Sequence, residues 1–307
     1  MNSKKALISG VTGQDGAYLA KLLLSKGYKV FGTFRRTSTP NFWRLQYADV
    51  YSKIHLIPAD LTDMGSLINA MKISDPDEVY NMAAMSFVRT AFEQPVGNSH
   101  STGTAVTRFL ESIKAINPNV KFYQASSSEM FGNSNVDFQN EQTPFSPASP
   151  YAAAKLYAHW ITKIYQEAYD MFAVSGILFN HESPIRGLEF VTRKITNAAA
   201  QIKLGLKKDI SIGNLQSKRD WGYAPEYMEA IYLMMQQDKP ETYVVSTGET
   251  YSVEELARVS FEILNLDWKD YVKTDEKYFR PLDINLLRGN YSKAKDELGW
   301  EPKTKFH

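Results

Sequence analysis

Short apolar runs alternate with amphipathic stretches along the first half of the chain. Residues 4–10 read as a short buried strand, and within 17–25 the residues Leu19, Leu22 and Leu23 are spaced for one apolar helix face. The pattern then predicts strands over 28–34, 54–58, 78–83, 120–126 and 174–179, with helices over 64–72 and 101–116. Such alternation predicts an α/β fold on a doubly wound parallel sheet of Rossmann type. Beyond Asn180 the alternation loosens. Residues 181–187 contain Pro184 and read as a loop, 191–204 as a helix, 210–212 as a short strand and 223–236 as a helix returning to the main sheet. Residues 254–264 and 292–298 are amphipathic. The expected division is a main domain over 1–180 with a returning segment near 214–247, and a smaller C-terminal α/β lobe from 181–213 and 248–307. No internal repeat or low-complexity segment interrupts it.

Between the first strand and the first helix stands Gly10-Val-Thr12-Gly13-Gln14-Asp15-Gly16. A strand, a glycine-rich turn and a helix make a phosphate cradle. The glycines permit a tight turn and close backbone approach, and the helix N-terminus attracts a pyrophosphate. The spacing is GxxGxxG, and its position directly after a strand carries more weight than the spacing itself. The second strand ends at Arg35-Arg36. A carboxylate there would accept a ribose 2′-hydroxyl, whereas arginine pairs with a 2′-phosphate, so NADP is favoured over NAD. Small and polar residues recur at the ends of the other strands: Asp60, Ala83-Ala84 with Ser86, Ser126 to Glu129, and Asn180. Ligands of doubly wound sheets lie beyond these ends, so one shared crevice is expected. Asp60 suits a ligand contact and a helix cap equally.

Tyr151 and Lys155, one helical turn apart, follow Ser126-Ser127-Ser128-Glu129. A phenol and an ammonium at i and i+4 share a helix face, and the fixed cation is expected to lower the tyrosine pKa towards working pH. Such a tyrosine takes a proton from a substrate hydroxyl while hydride leaves the same carbon. Ser127 and Glu129 offer a second donor and a second base. An isolated YxxxK is common on ordinary amphipathic helices; the upstream glycine turn gives this one its meaning.

Composition narrows the class. A count of 35 Lys and Arg against 34 Asp and Glu, a net charge of +1, gives no basic excess suited to nucleic acid. The chain has no cysteine, and its five histidines lack ligand spacing, so no metal site is expected. No apolar run approaches membrane-spanning length and the chain opens directly on a strand, so the expected compartment is cytoplasmic, with no membrane partner.

At 176–184, Gly-Ile-Leu-Phe-Asn-His-Glu-Ser-Pro is joined by Phe190-Val-Thr-Arg-Lys-Ile195, Arg219-Asp-Trp-Gly222 and Tyr278-Phe-Arg-Pro281. With these, from about Lys4 to about Thr304, the chain resembles the extended short-chain dehydrogenase/reductases, and within them the GDP-mannose 4,6-dehydratase family. The resemblance implies redox-neutral dehydration of a GDP-sugar to a 4-keto-6-deoxy product, with Ser127, Glu129, Tyr151 and Lys155 catalytic. It implies NADP contacts at Leu61, His181 and Arg186 besides the residues above. It implies sugar-nucleotide contacts at Ser86, Asn180, Thr192, Lys194, Gly213 and Asp283, with Arg219 and Arg280 clamping the diphosphate. Several positions depart from the family's pattern: Ser127 stands for threonine, Met85 for glutamine, Ile185 for arginine and Asp283 for glutamate. The chain also stops at His307, before the helix that usually closes the fold, which is consistent with a truncated piece. Sister activities on this scaffold are a GDP-heptose dehydratase and a GDP-4-keto-sugar reductase or epimerase; a dinucleotide sensor would lack the catalytic trio. The resemblance further implies a homodimer or homotetramer, in which the polar loop after Arg35-Arg36 either reaches a neighbouring cofactor site or is plain solvent-facing chain.

Overall fold

The computed structural model describes residues 3–307. Six strands of the first half, β1 (Lys5–Ser9), β2 (Lys29–Phe34), β3 (His55–Pro58), β4 (Glu78–Asn81), β5 (Lys121–Ser127) and β6 (Ala173–Leu178), build the main sheet. Tyr243–Val245 joins as the seventh strand, and the order is Tyr243–Val245, β6, β5, β4, β1, β2, β3, every neighbouring pair parallel. This is a Rossmann-type α/β sheet whose order reverses beside β1, which opens a crevice at the carboxyl ends of β1 and β4.

Helices cover both faces, which is why the strands read as nearly continuous apolar runs. Along β1, Ala6 and Ile8 pack into one layer with the helices Gln14–Ser25 and Ala224–Met235. Leu7 points to the opposite layer, among Leu67, Met71, Phe109 and Ile113. A separate apolar cluster holds Ile195, Ile202, Ile210, Trp221, Leu256, Phe261 and Val272 between the helices Val191–Lys203 and Val253–Glu262. Buried Asp220 ties this region to the main sheet. It accepts from Thr247 N at 2.8 Å, Thr247 Oγ1 at 2.7 Å, Gly248 N at 2.9 Å and Gly289 N at 3.2 Å.

Two expectations need correction. The helix expected over 101–116 starts earlier, with Pro95 in its first turn, and passes through a π-helical stretch at Ser99–Thr104 before Ala105–Ile116. Ser-His-Ser-Thr-Gly-Thr has weak intrinsic helix preference, and packing against the long helix Pro150–Tyr169 compensates: the extra turn brings Gly103 against Ala154. The segment expected as a loop over 181–187 begins instead as a strand, Asn180–Glu182, paired in parallel with Trp221–Tyr223. Its pairing partner lies about forty residues away, so no local pattern announces it. No helix among the described residues is long and apolar enough to cross a membrane.

Candidate active site

One cleft of about 950 Å³ lies beyond the carboxyl ends of the main sheet, and every candidate site residue named above lines it. Of the cations named from sequence for ligand contact, Arg35, Arg186, Lys194, Arg219 and Arg280 line it, and Arg36, the second of the Arg35-Arg36 pair, does not.

The glycine turn is built as its spacing requires. Gly10 has a φ of +66°, and a Cβ there would stand 2.8 Å from the Cα of Ala83. At Gly16 a Cβ would lie 2.5 Å from the carbonyl oxygen of Gly10, so the helix Gln14–Ser25 can start this close to β1 only through glycine. No side chain caps that helix, whose first-turn amides are therefore left for a ligand. Asp15 places a carboxylate in the same turn, where it would repel an anion. The structure answers with His181, whose Nε2 lies 3.0 Å from Asp15 Oδ2. The His181 ring pairs through Nδ1 with the Phe179 carbonyl at 2.7 Å and stacks on Tyr227 at 4.7 Å. Burial alone would raise the Asp15 pKa, but the His181 charge overrides it and holds the carboxyl well below its usual range. Burial likewise opposes the imidazolium, and Asp15 reverses the outcome, raising His181 above its ordinary value. Gln14 locks the arrangement, donating to Asp15 Oδ1 at 2.9 Å and accepting from Ser183 at 2.7 Å.

Asp60 is not the helix cap. Asp63 caps the helix Met64–Ser74, accepting from Gly65 and Ser66, while Asp60 Oδ1 accepts from Thr62 N at 2.8 Å and organises the turn ahead of it. Arg35 is near enough to help hold the Asp60 carboxyl below its usual range, after the stronger effect of the Thr62 amide. The second strand's cation and the third strand's carboxylate thus flank one end of the cleft.

At the centre, Ser149 and Pro150 start the long helix: Ser149 Oγ accepts from Ala152 N at 3.1 Å and Pro150 occupies the first turn. Tyr151 therefore sits in the first turn and Lys155 in the next. Lys155 donates from Nζ to the Ala125 carbonyl at 2.7 Å, and burial pushes its pKa down to about 8. Its ammonium lies 5.8 Å from the centre of the Tyr151 ring. The expectation that this cation lowers the tyrosine is not met. Burial dominates and raises Tyr151 well above its ordinary value, with Ser127 opposing and the Glu129 charge adding to the rise. Ser127 also accepts from Glu129 N at 3.3 Å, capping the short turn Ser128–Phe131 that buries Glu129 to 7 % exposure. Glu129 Oε1 lies 3.4 Å from Arg280 Nη1; Oε2 is buried with no hydrogen-bond partner.

The far wall carries the remaining cations. Arg219 donates through Nη1 to the Ile284 carbonyl at 2.8 Å and lies 3.6 Å from Asp283, which also accepts from Ser217 at 3.0 Å. Lys194 donates to the Ser211 carbonyl at 2.7 Å and sits 3.8 Å above the ring of Tyr278. Gly213 lets the Tyr278 backbone approach, since a Cβ would stand 2.7 Å from its carbonyl oxygen.

Sequence reasoning missed three contributors to the cleft. Arg44 donates from Nε to the Ile185 carbonyl at 2.8 Å, and Arg89 lies 5.7 Å from the Tyr278 ring centre. Glu182 binds two expected site residues, Thr192 and Arg186. Arg44 and Arg89 stand outside any motif and leave no signal in a lone sequence; Glu182 stands within the 176–184 stretch, whose neighbours Asn180 and His181 were singled out while it was not. Met85, noted as a departure, is held by its backbone: Thr102 Oγ1 accepts from its N–H at 3.1 Å and Asn98 Nδ2 donates to its carbonyl at 2.9 Å.

A family model described as GDP-mannose 4,6 dehydratase matches residues 7–307. The chain belongs to this family. The Arabidopsis thaliana protein named GDP-mannose 4,6 dehydratase 2 is 51% identical, over 99% of this chain and 84% of its own length. The Sinorhizobium fredii GDP-mannose 4,6-dehydratase is 45% identical over 98% of this chain and 93% of its own. The human GDP-mannose 4,6 dehydratase is 44% identical over 98% and 88%. Among solved structures, Bacillus anthracis dTDP-glucose 4,6-dehydratase in complex with NAD superposes with a TM-score of 0.85 at 21% identity, covering 99% of this chain and 93% of that one. The NAD complex of Thermus thermophilus UDP-glucose 4-epimerase gives 0.85 at 22% identity, covering 98% and 94%. These two share the fold.

The Asp15–His181 pair carries a pH signature. The folded His181 pKa lies above the ordinary value of about 6.5, so its stabilisation is complete below that pH and is lost as pH rises through the folded value. The Asp15 contribution is present above about pH 4 and fades only as pH falls through its lowered value. Unfolding free energies measured in urea between about pH 6 and 9 should therefore fall more steeply for the unaltered protein than for His181→Gln. Parallel curves would mean His181 is neutral in the folded state.

Proposed function

We propose that this chain dehydrates a GDP-sugar, GDP-mannose foremost, to the GDP-4-keto-6-deoxy sugar and water with no net redox change. Family membership and the names of its relatives support this class. The observation that carries it is Glu129, a buried carboxylate with an unpartnered oxygen in the same cleft as Tyr151 and Ser127. A ketoreductase uses the tyrosine and lysine alone, whereas elimination needs a separate base for carbon.

A nicotinamide dinucleotide fits the cradle: Gly10 and Gly16 leave no room for a Cβ, the first helix is uncapped, and structural relatives hold NAD. Gly10 to Gly16, Leu61, Ala83, Ala84, His181 and Arg186 would hold it. Arg35 beside Asp60, with no carboxylate ending β2, supports the 2′-phosphorylated form, NADP.

Tyr151 takes the proton of the sugar 4-hydroxyl as C4 is oxidised. A nicotinamide held by these residues would supply the hydride acceptor for C4 and the donor for C6. Lys155, fixed on the Ala125 carbonyl, offsets part of the energy of a buried phenolate. With a ketone at C4, the C5 hydrogen is acidic, and Glu129 removes it. The C6 hydroxyl leaves as water on receiving a proton from Glu129 or through Ser127. A proton returned to C5 completes the exchange, so the substrate has lost only water. Arg219 and Arg280 flank the diphosphate, and Asn180, Thr192, Lys194, Gly213 and Asp283 line the nucleotide's side. We propose, too, that a second copy covers the long helix, where Tyr157, Trp160 and Ile164 form an exposed stripe at helical spacing.

Three measurements test this reading. GDP-mannose with catalytic NADP⁺ should give a 4-keto product without accumulation of NADPH, and Glu129→Gln should lower turnover by about 10²–10⁴-fold while still binding GDP. Net NADPH consumption would point to a reductase instead. Arg35→Ala should weaken NADP⁺ binding by about 10–100-fold and leave NAD⁺ nearly unchanged; equal losses would remove the 2′-phosphate assignment. Light scattering should find Trp160→Glu in a smaller assembly than the unaltered protein, and an unchanged mass would dismiss this face.

A further inference from the structure

Between the two ends of the cleft stands Glu182, the last residue of the strand Asn180–Glu182 and half-buried. Its Oε2 alone serves two partners. The Thr192 hydroxyl, in the first turn of the helix Val191–Lys203, donates to it, and Arg186 Nε lies 3.2 Å away. The Arg186 pairing is one of charge: its buried Nε–H has no aligned hydrogen-bond acceptor. The guanidinium rests 3.6 Å above the ring of Phe190, which itself meets Phe87 edge-on at 5.8 Å. Its charge reaches Asp15 in the glycine turn as well as Tyr151. Thr192 belongs to the other end, two residues before Lys194, whose ammonium sits on the ring of Tyr278.

We propose that Glu182 is a positioning residue that couples dinucleotide binding to sugar-nucleotide binding. The inference rests on the reading above, with Arg186 facing the dinucleotide and Thr192 the nucleotide sugar. An anion bound at the glycine turn draws Arg186 away from Glu182, to which no aligned hydrogen bond holds it. The freed carboxylate then accepts from Thr192 alone, fixing that hydroxyl and the start of its helix for the second ligand. Coupling of this kind is reciprocal, so GDP tightens NADP⁺ by the same factor as NADP⁺ tightens GDP.

The test is calorimetric and needs no turnover. GDP is titrated into the protein alone and into protein saturated with NADP⁺; the dissociation constants should differ by about fivefold or more. In Glu182→Gln the ratio should collapse to near one, because the neutral amide no longer pairs with Arg186 and cannot pass the arrival of the anion on to Thr192. Glu182→Asp, which keeps the charge but shortens the reach, is measured beside it and should also lose coupling, so a failure of one variant to fold leaves the other decisive. Full coupling in either folded variant overturns the proposal, as does equal weakening of GDP with and without NADP⁺, which a merely structural residue would cause. If both ligands bind the unaltered protein independently, this inference fails and the functional reading stands. If either does not bind, the functional reading fails and takes the coupling with it.

Discussion

The ammonium of Lys155 is buried, and a buried cation is tolerable only with a partner. Its partner is the carbonyl of Ala125, within β5, so this hydrogen bond, together with the one between Ser126 Oγ and His159 Nδ1 at 3.1 Å, ties the long helix to the strand that delivers Ser127 and Glu129. Because Ser149 and Pro150 set where that helix begins, Tyr151 falls one turn above the anchored lysine, facing the turn at Ser128–Phe131. A neighbouring side of the helix, at Ala154, is met by Gly103 in the π-helical stretch, where Asn98 and Thr102 grip the backbone of Met85. The ends of β4 and β5 are therefore referenced to one rigid rod. The proposed dehydration needs two proton-handling groups placed with respect to one sugar ring, and this linkage fixes Tyr151 and Glu129 relative to one another.

Burial makes the site selective about charge. The phenol of Tyr151 is pushed upward and the ammonium of Lys155 downward, so both groups rest nearer neutrality than they would in water. Glu129 adds a negative charge beside the phenol and strengthens that tendency. Burial and the Glu129 charge thus both work against a phenolate at Tyr151, with Ser127 opposing them.

Much of this was legible from residues alone, for identifiable reasons. Strands buried on both faces appear as apolar runs, so β1 to β6 were readable to within a few residues, and chemistry placed at their ends declared the cleft. What escaped depended on distant pairing or on competing energies. Asn-His-Glu carries no strand pattern, and becomes one only through Trp221–Tyr223. The helix from Pro95 passes through serines, threonines and a glycine, and holds because the neighbouring helix packs on it. The Tyr151 shift was anticipated with the wrong sign because spacing along a helix reveals the nearby cation but not the depth of burial, and burial is the larger effect. Asp60, equally suited to two roles on paper, lost the cap to Asp63 once backbone geometry was available.

Asp15 raises the sharper question of why a carboxylate occupies an uncapped helix terminus beside the glycine turn, where an anion is proposed to bind. Its charge is matched by His181 at 3.0 Å and felt by Arg186, so the anion-binding end is not left negative. The same ion pair fastens the glycine turn to the strand Asn180–Glu182, and Glu182, two residues before Pro184, reaches Thr192. A neutral residue at position 15 would remove the repulsion but also the fastening. The carboxylate is best understood as a tether whose unfavourable charge is cancelled locally, leaving the uncapped amides to face the ligand. It follows that the imidazolium is needed for more than charge balance: without it, Asp15 would both oppose the anion and lose its hold on the strand that spans the cleft.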